Sequence, residues 1–364
     1  MFKVKVYGAG SIGNHLSFAC RNKGWDVTIC DIDLKALERT KSDIYPARYG
    51  KWDSSIKLMG AEEKDNEKYD LVIIGTPPNS HGQLALEILK TSPPDIMLIE
   101  KPALTPDLKY AVELNDLAGK VGTKVFIGYN HTLTENTRRA EQLLEKGAIG
   151  KPLTITSMTR EHWGGIFSAH PWLNGPEDTY LGYITKGGGA CCEHSHAINI
   201  WQHFAHHLKF GKIHKVTATL NMVKEGNAEY DDLCFLNVIT QNGIVGNIIQ
   251  DVVTSPTQKN LRIQGSDGFL EWHVGYKTGV DAVIYSDCKE NNEILIPKTR
   301  PDDFKGEIDH LEKFLTGETE GSSPISLERG LDTMMVVAAA YVSSKEKREV
   351  TIDYSEGYSL NAIK

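Results

Sequence analysis

A strand-forming run, Phe2 to Tyr7, alternates valine with lysine and feeds into Gly8-Ala-Gly10-Ser-Ile-Gly13, after which a helical pattern runs to about Lys23. Strand, glycine turn and helix in that order leave few folds open. Gly8 permits the tight turn, Gly10 lets backbone approach a pyrophosphate, and Gly13 allows the helix to pack closely on the strand. The helix opens with Ser11 and Ile12, whose N–H groups and dipole favour phosphate oxygens. Asp26 to Asp31 reads as a second strand, and Asp31 falls 18 residues past Gly13 at its carboxyl end. A carboxylate there accepts hydrogen bonds from both ribose hydroxyls and repels a 2′-phosphate, which favours NAD over NADP. No arginine directly follows Asp31, which points the same way. The competing role for Asp31 is to cap a helix beginning near Asp33.

Residues 44 to 68 are polar and carry no assignable pattern. Tyr69 to Gly75 is the next buried strand, ending in Thr76-Pro77-Pro-Asn79-Ser-His81. A helix follows to about Lys90 with Asn79 or Ser80 as N-cap, which would put His81 beside a cofactor. Ile96 to Ile99 is an unbroken apolar run, as in a strand covered on both faces of a parallel sheet. It delivers Glu100-Lys101-Pro102 to the carboxyl edge, where open α/β sheets bind ligands. Pro102 keeps Lys101 out of helical geometry, in an extended or turn conformation. A helix near Pro106 to Lys120 and a strand from Thr123 to Gly128 complete a doubly wound Rossmann domain over residues 1–128.

From Tyr129 the texture changes. A helix near Glu135 to Lys146 precedes runs that alternate polar with apolar: Leu153 to Thr159, Lys215 to Met222, Leu233 to Thr240, Ile244 to Val253 and Asn260 to Gln264. Alternation of this kind marks half-buried antiparallel strands. Two amphipathic helices follow, near Asp302 to Leu315 and Ser326 to Ser344. Residues 129–364 are therefore expected to form an α+β domain with a large, open-faced, mainly antiparallel sheet. Between its strands, residues 190 to 206 read as one helix. At about 100° per residue, Cys192, His196, Asn199 and His203 then share one face and want a partner, water or ligand.

The net charge of −8 gives no footprint for nucleic acid or anionic membrane. No apolar run approaches the ~20 residues of a membrane span. The six cysteines show no C-x-x-C pair, so reduced thiols in a cytoplasm are expected.

Taken together, Gly8 to Gly13, Thr76 to His81, Glu100-Lys-Pro102, Gly147-Ala-Ile-Gly150, Gly187-Gly-Gly before His196, and Gly265-Ser-Asp-Gly268 resemble the Gfo/Idh/MocA family of glucose–fructose oxidoreductase and myo-inositol dehydrogenase. The resemblance runs over essentially the whole chain. It implies that substrate lies between a nicotinamide and the open sheet of the second domain, with Lys101 orienting the reacting oxygen and His196 as general acid/base. It also implies association through that sheet, as a homodimer or homotetramer.

Departures stand beside it. The family's common Asp-x-Gly-x-His-x-x-Asp pattern places Cys192, His194 and Asn199 where Asp, Gly and Asp are usual, so the carboxylate is missing unless Glu193 replaces it. Asn130-His131-Thr132 stands after the sixth strand in place of an arginine or aromatic, and a long segment, His162 to Lys186, carries Trp163, His170, Trp172 and Tyr180. The candidate substrate contacts are accordingly Asn199, Glu193, Cys192, His131, Arg160 and Trp172. The candidate cofactor contacts are the glycine turn with Ser11 and Ile12, then Asp31, Thr76, Pro77, Asn79, His81, Glu100 and Lys101. No metal is expected, because His194 and His196, two apart, cannot share a helix face with Glu193.

The expected activity is NAD-dependent hydride transfer at a hydroxyl or carbonyl carbon of a sugar, sugar derivative or cyclitol. Neutral His196 takes the proton and the Lys101 ammonium stabilises the developing alkoxide. One alternative retains NAD and oxidises a sugar transiently for epimerisation, elimination or glycoside cleavage. Another is a non-catalytic NAD-binding regulator.

Overall fold

The structure, a computed structural model, describes residues 1–168, 173–287 and 289–364. The expectations placed on His170, Trp172 and the Cys288 thiol therefore lie outside the described residues.

Six parallel strands form the first sheet: β1 (Lys3–Tyr7), β2 (Asp26–Asp31), β3 (Lys57–Gly60), β4 (Leu71–Ile74), β5 (Ile96–Ile99) and β6 (Lys124–Ile127), in the order β3-β2-β1-β4-β5-β6. The chain winds from β1 outward to β3, then crosses back to lay β4 beside β1. That reversal opens a crevice at the carboxyl ends of β1 and β4. Every residue of β4 and β5 is buried, which is why these strands read as unbroken apolar runs. Each such side chain removed from water contributes about 1.5–3 kcal/mol. The edge strand β3 is mostly not buried and lies in the stretch without a legible pattern.

Nine strands form the second sheet: β7 (Pro152–Arg160), β8 (Ile213–Glu225), β9 (Ala228–Thr240), β10 (Val245–Asp251), β11 (Gln258–Gly265), β12 (Phe269–Lys277), β13 (Val280–Ser286), β14 (Asn291–Pro297) and β15 (Val350–Thr351). Their order is β14-β13-β12-β11-β7-β10-β9-β8-β15. Only β7 and β10 pair in parallel; the other neighbours are antiparallel. Helices Glu135–Glu145, His196–His207 and Leu327–Glu346 pack against this sheet. On its open face Thr156 donates to Asn247, which donates to Asn237, beside the exposed Phe235 and Val245.

Helix Arg300–Leu315 starts in a capping box of Thr299 and Asp302 and returns to the first sheet. It packs on helix Ser11–Asn22, where the rings of Phe304 and His15 stack at 4.6 Å. Among the described residues no helix is long and apolar enough to cross a membrane.

Two local expectations fail. Helix Pro78–Thr91 is capped by Pro77, not by Asn79 or Ser80, because Pro78 occupies the first turn, where a missing N–H costs nothing. The helix expected over 190 to 206 is broken into Ala190–Glu193 and His196–His207. Gln250 Nε2 donates to the carbonyls of both Ala190 and Cys191, at 2.9 Å each. With the Cys191 carbonyl so engaged, the Ser195 N–H turns to Cys192 O at 3.2 Å, and the i→i−4 ladder stops.

Candidate active site

A continuous cleft of about 1590 Å³ runs from the glycine turn to the second sheet. That exceeds the few hundred Å³ to ~1,000 Å³ of a single small-ligand pocket and suits a dinucleotide with a second molecule.

At the first end, Gly8 has φ 105°, and a Cβ on it would lie 2.6 Å from Gly75 O. A Cβ on Gly13 would lie 2.0 Å from Gly8 O, so Gly13 serves helix–strand packing and does not line the cleft. Gly10 has open space before it, and helix Ser11–Asn22 has no side-chain cap, so its leading N–H groups remain for a ligand's oxygens. Arg48, unassigned from sequence, donates to Ser11 O and Ser11 Oγ, both at 2.8 Å. Asp31 accepts from the N–H of Ala9 at 2.7 Å and of Asp33 at 2.8 Å. The helix cap is Asp33, which accepts from Lys35 N, so the competing role for Asp31 is not the one adopted. Open backbone at Gly10, free N–H groups at Ser11 and Ile12, and an acid at the end of β2 fit an adenine dinucleotide.

Thr76, Pro77, Asn79, Glu100 and Lys101 line the middle of the cleft. His81 does not. It is fully buried, with Nε2 2.7 Å from Thr76 O and Nδ1 3.1 Å from Pro102 O, and ties the β4 loop to the β5 loop. The Lys101–Pro102 bond is cis. Burial pushes the Glu100 carboxyl up to about 7, and burial together with Glu100 raises its neighbour Glu307.

At the second end, Lys101 Nζ donates to Glu193 Oε1 at 2.8 Å and Glu193 O at 2.9 Å, and Tyr180 OH donates to Glu193 Oε2 at 3.1 Å. His196 opens its helix and faces the cleft. Its ring stacks on His131 at 4.2 Å and meets Tyr129 edge-on at 5.6 Å. His196 Nδ1 is buried with no hydrogen-bond partner among the described residues. Burial, reinforced by His131 and Lys101, holds the His196 pKa well below that of free histidine. Burial, then Lys298 and Lys259, does the same to His131. Lys259 pairs with Glu161 at 2.6 Å, and Arg300 lies at the mouth over the Phe304 ring.

Three expected substrate contacts are elsewhere. Cys192 is fully buried beside Cys191, Asp231 and Tyr341, because the helix break turns it into the core. Asn199 donates to Thr333 Oγ1 of helix Leu327–Glu346 at 3.0 Å. Arg160 pairs with Asp251 at 2.5 Å. The imagined polar stripe is dispersed, since His203 meets Glu141 on helix Glu135–Glu145. Sequence reading missed Arg48, Glu161, Lys259 and Arg300, whose approach to the cleft no local pattern encodes.

Residues 2–129 match the family described as oxidoreductase family, NAD-binding Rossmann fold, and residues 137–271 match the GFO/IDH/MocA C-terminal domain. No curated protein matches the sequence. Similar solved structures include an oxidoreductase from Agrobacterium radiobacter in complex with NAD+, L-tartaric acid and magnesium, at 19% identity and TM-score 0.74, covering 96% of this chain and 98% of that one. Levoglucosan dehydrogenase in complex with NADH aligns at 16% identity and TM-score 0.76, with coverages of 96% and 98%. Aldose-aldose oxidoreductase from Caulobacter crescentus, complexed with glycerol, aligns at 18% and 0.74, with coverages of 96% and 99%.

Proposed function

Because the chain belongs to the Gfo/Idh/MocA family of NAD-binding oxidoreductases, we propose that it moves a hydride between nicotinamide and a hydroxyl or carbonyl carbon of a sugar, sugar derivative or cyclitol. The observation that carries this reading is the presence of Lys101 and His196 on one cleft that continues to Asp31 and the glycine turn. The names of levoglucosan dehydrogenase and aldose-aldose oxidoreductase support a sugar as the substrate class.

NAD in this cleft supplies the hydride acceptor, or as NADH the donor. Asp31 selects for ribose hydroxyls, and Ser11 and Ile12 offer backbone donors to the phosphates. Lys101 has three N–H donors, of which Glu193 takes two. The third points the ammonium's charge at the substrate oxygen and stabilises an alkoxide. His196 is neutral near pH 7, so it accepts the hydroxyl proton without first losing one of its own. His131, stacked against it, confines the ring. In this reading residues 1–128 are the dinucleotide lobe and residues 129–364 the substrate lobe, which pairs with copies of itself through the open sheet face.

The test is a panel of sugars and cyclitols with NAD+, read by NADH absorbance and by mass spectrometry of products. Stoichiometric NADH with a product two mass units lighter than its substrate is expected. Products of unchanged mass without free NADH would replace this reading with transient oxidation by retained NAD.

A further inference from the structure

The substrate end of the cleft holds more cationic groups than hydride transfer requires. Lys101 answers to Glu193 and Lys259 to Glu161. Arg300, on the same cleft, has no hydrogen-bond or ion-pair partner among the described residues, and its guanidinium sits 5.7 Å from the Phe304 ring centre. Lys259 spends one of its three donors on Glu161, leaving two. Three carboxyls feel the Arg300 charge, and each is otherwise disposed: Asp303 is 3.0 Å from Lys298, Glu161 is 2.6 Å from Lys259, and Glu100 is buried.

Resting on the sugar oxidoreductase reading above, we propose that the substrate carries an oxyanion, a carboxylate or phosphate, seated by Arg300 and Lys259 while its reacting hydroxyl lies at His196 and Lys101. A guanidinium fork with open donors, on the same cleft as an ammonium with two more, is a receptor for a planar or tetrahedral oxyanion. Residues from two remote elements converge there: Lys259 from β11 and Arg300 from the first turn of helix Arg300–Leu315. The charges acting on the paired histidines fit the same picture. His131 is influenced by Lys298, Lys259, Arg300 and Lys101, and His196 by Lys101 and Lys259, with no carboxylate prominent at either ring. Arg300 is exposed, so a neutral sugar leaves its donors to water, whereas an anionic one gives them a charged acceptor.

The experiment measures binding in the presence of NADH by thermal shift and calorimetry, so that no turnover is needed. Probes are D-glucuronate, D-galacturonate, D-gluconate, N-acetylneuraminate and glucose 6-phosphate, with D-glucose, D-galactose and myo-inositol as neutral partners. At least one anionic sugar should bind tenfold or more tightly than its neutral parent, and the carboxylate and phosphate arms identify which oxyanion is seated. Arg300→Gln and Lys259→Met should each weaken it tenfold or more while NAD affinity stays within twofold. Lys259→Arg should restore it, separating charge from folding. Equal or better binding of neutral sugars, or no binding of any anionic probe, overturns the proposal, as does loss of NAD affinity in Arg300→Gln, which would assign the guanidinium to the cofactor's phosphates. Anion binding without turnover on any substrate would keep this seat and remove the proposed reaction.

Discussion

The Lys101 ammonium is bound twice by Glu193, at 2.8 Å through the side-chain carboxylate and at 2.9 Å through the main-chain carbonyl. The acid next to Cys192 therefore serves the lysine of the first lobe, and His196, beyond the helix break, has no carboxylate partner among the described residues. Both side chains are mostly buried, at 15% and 14% exposure, so water competes weakly for the pair.

Lys101→Ala should abolish turnover and leave NAD affinity within a few-fold, because the role proposed for the ammonium is toward the substrate oxygen and not the cofactor. Glu193→Gln should lower kcat about 10- to 100-fold by letting the ammonium wander. Tyr180→Phe, which removes one bond to Glu193, should cost less than tenfold. Steady-state kinetics with calorimetric NAD titrations check all three, and full activity in Lys101→Ala would sink the assignment.

His196 ionises below the free-histidine value of ~6.5. For alcohol oxidation kcat/KM should rise with pH through a limb below 6.5 and be level from there to neutrality. His196→Asn should remove the limb together with most of the rate. An unchanged profile in that variant would pass the proton to another group.

Cys192→Asp should not tune His196, since position 192 faces Asp231 and Tyr341. Burial already pushes Asp231 up to about 7, and a second carboxyl beside it should destabilise the fold by on the order of 3 kcal/mol. Cys192→Ala should keep the pH profile. Denaturant melts and pH–rate curves of both variants decide this.

Asp31 should make NAD bind at least tenfold more tightly than NADP, about 1.4 kcal/mol. Asp31→Ala should narrow the gap and also weaken NAD, because the Ala9 N–H loses its acceptor. Equal wild-type affinities by calorimetry would refute the assignment.

His15, 7% exposed and stacked on Phe304, has its pKa lowered to about 3 by burial and then by Arg48 and Arg300. Between pH 6.5 and 3 the unfolded chain binds a proton at this residue that the folded chain refuses, so its contribution to stability falls as pH falls. Relative to His15→Phe, the wild type should lose about 2 kcal/mol between pH 7 and pH 5. Urea melts at the two pH values measure the difference, and parallel losses would show that His15 is protonated in the fold.

Much of the architecture is legible without coordinates. Unbroken apolar runs such as Ile96 to Ile99 mark buried parallel strands, alternation marks the second sheet, and the glycine turn with Asp31 marks the dinucleotide end. These signals are local, since burial on one face or two is written in the spacing of neighbouring residues. The short edge strand β3 and the outer strands β13 and β14 escaped that reading; β3 and β14 are mostly exposed and carry little of its signal.

What spacing could not decide is which way the residues around His196 face. Helical periodicity put Cys192, His196 and Asn199 on one stripe, but Gln250, on a strand and 59 residues beyond Cys191, takes the carbonyl that would have continued the helix. The break sends Cys192 toward Asp231, leaves Asn199 to Thr333 and delivers His196 alone to His131. The sequence by itself determined the two sheets, the cofactor end and the place of Lys101 at the carboxyl end of β5, because those rest on short-range patterns of burial and turn geometry. Only the tertiary structure decided that Glu193 holds Lys101 and that Lys259 and Arg300 reach the same cleft, because such contacts depend on how distant elements pack and which backbone groups they claim from one another.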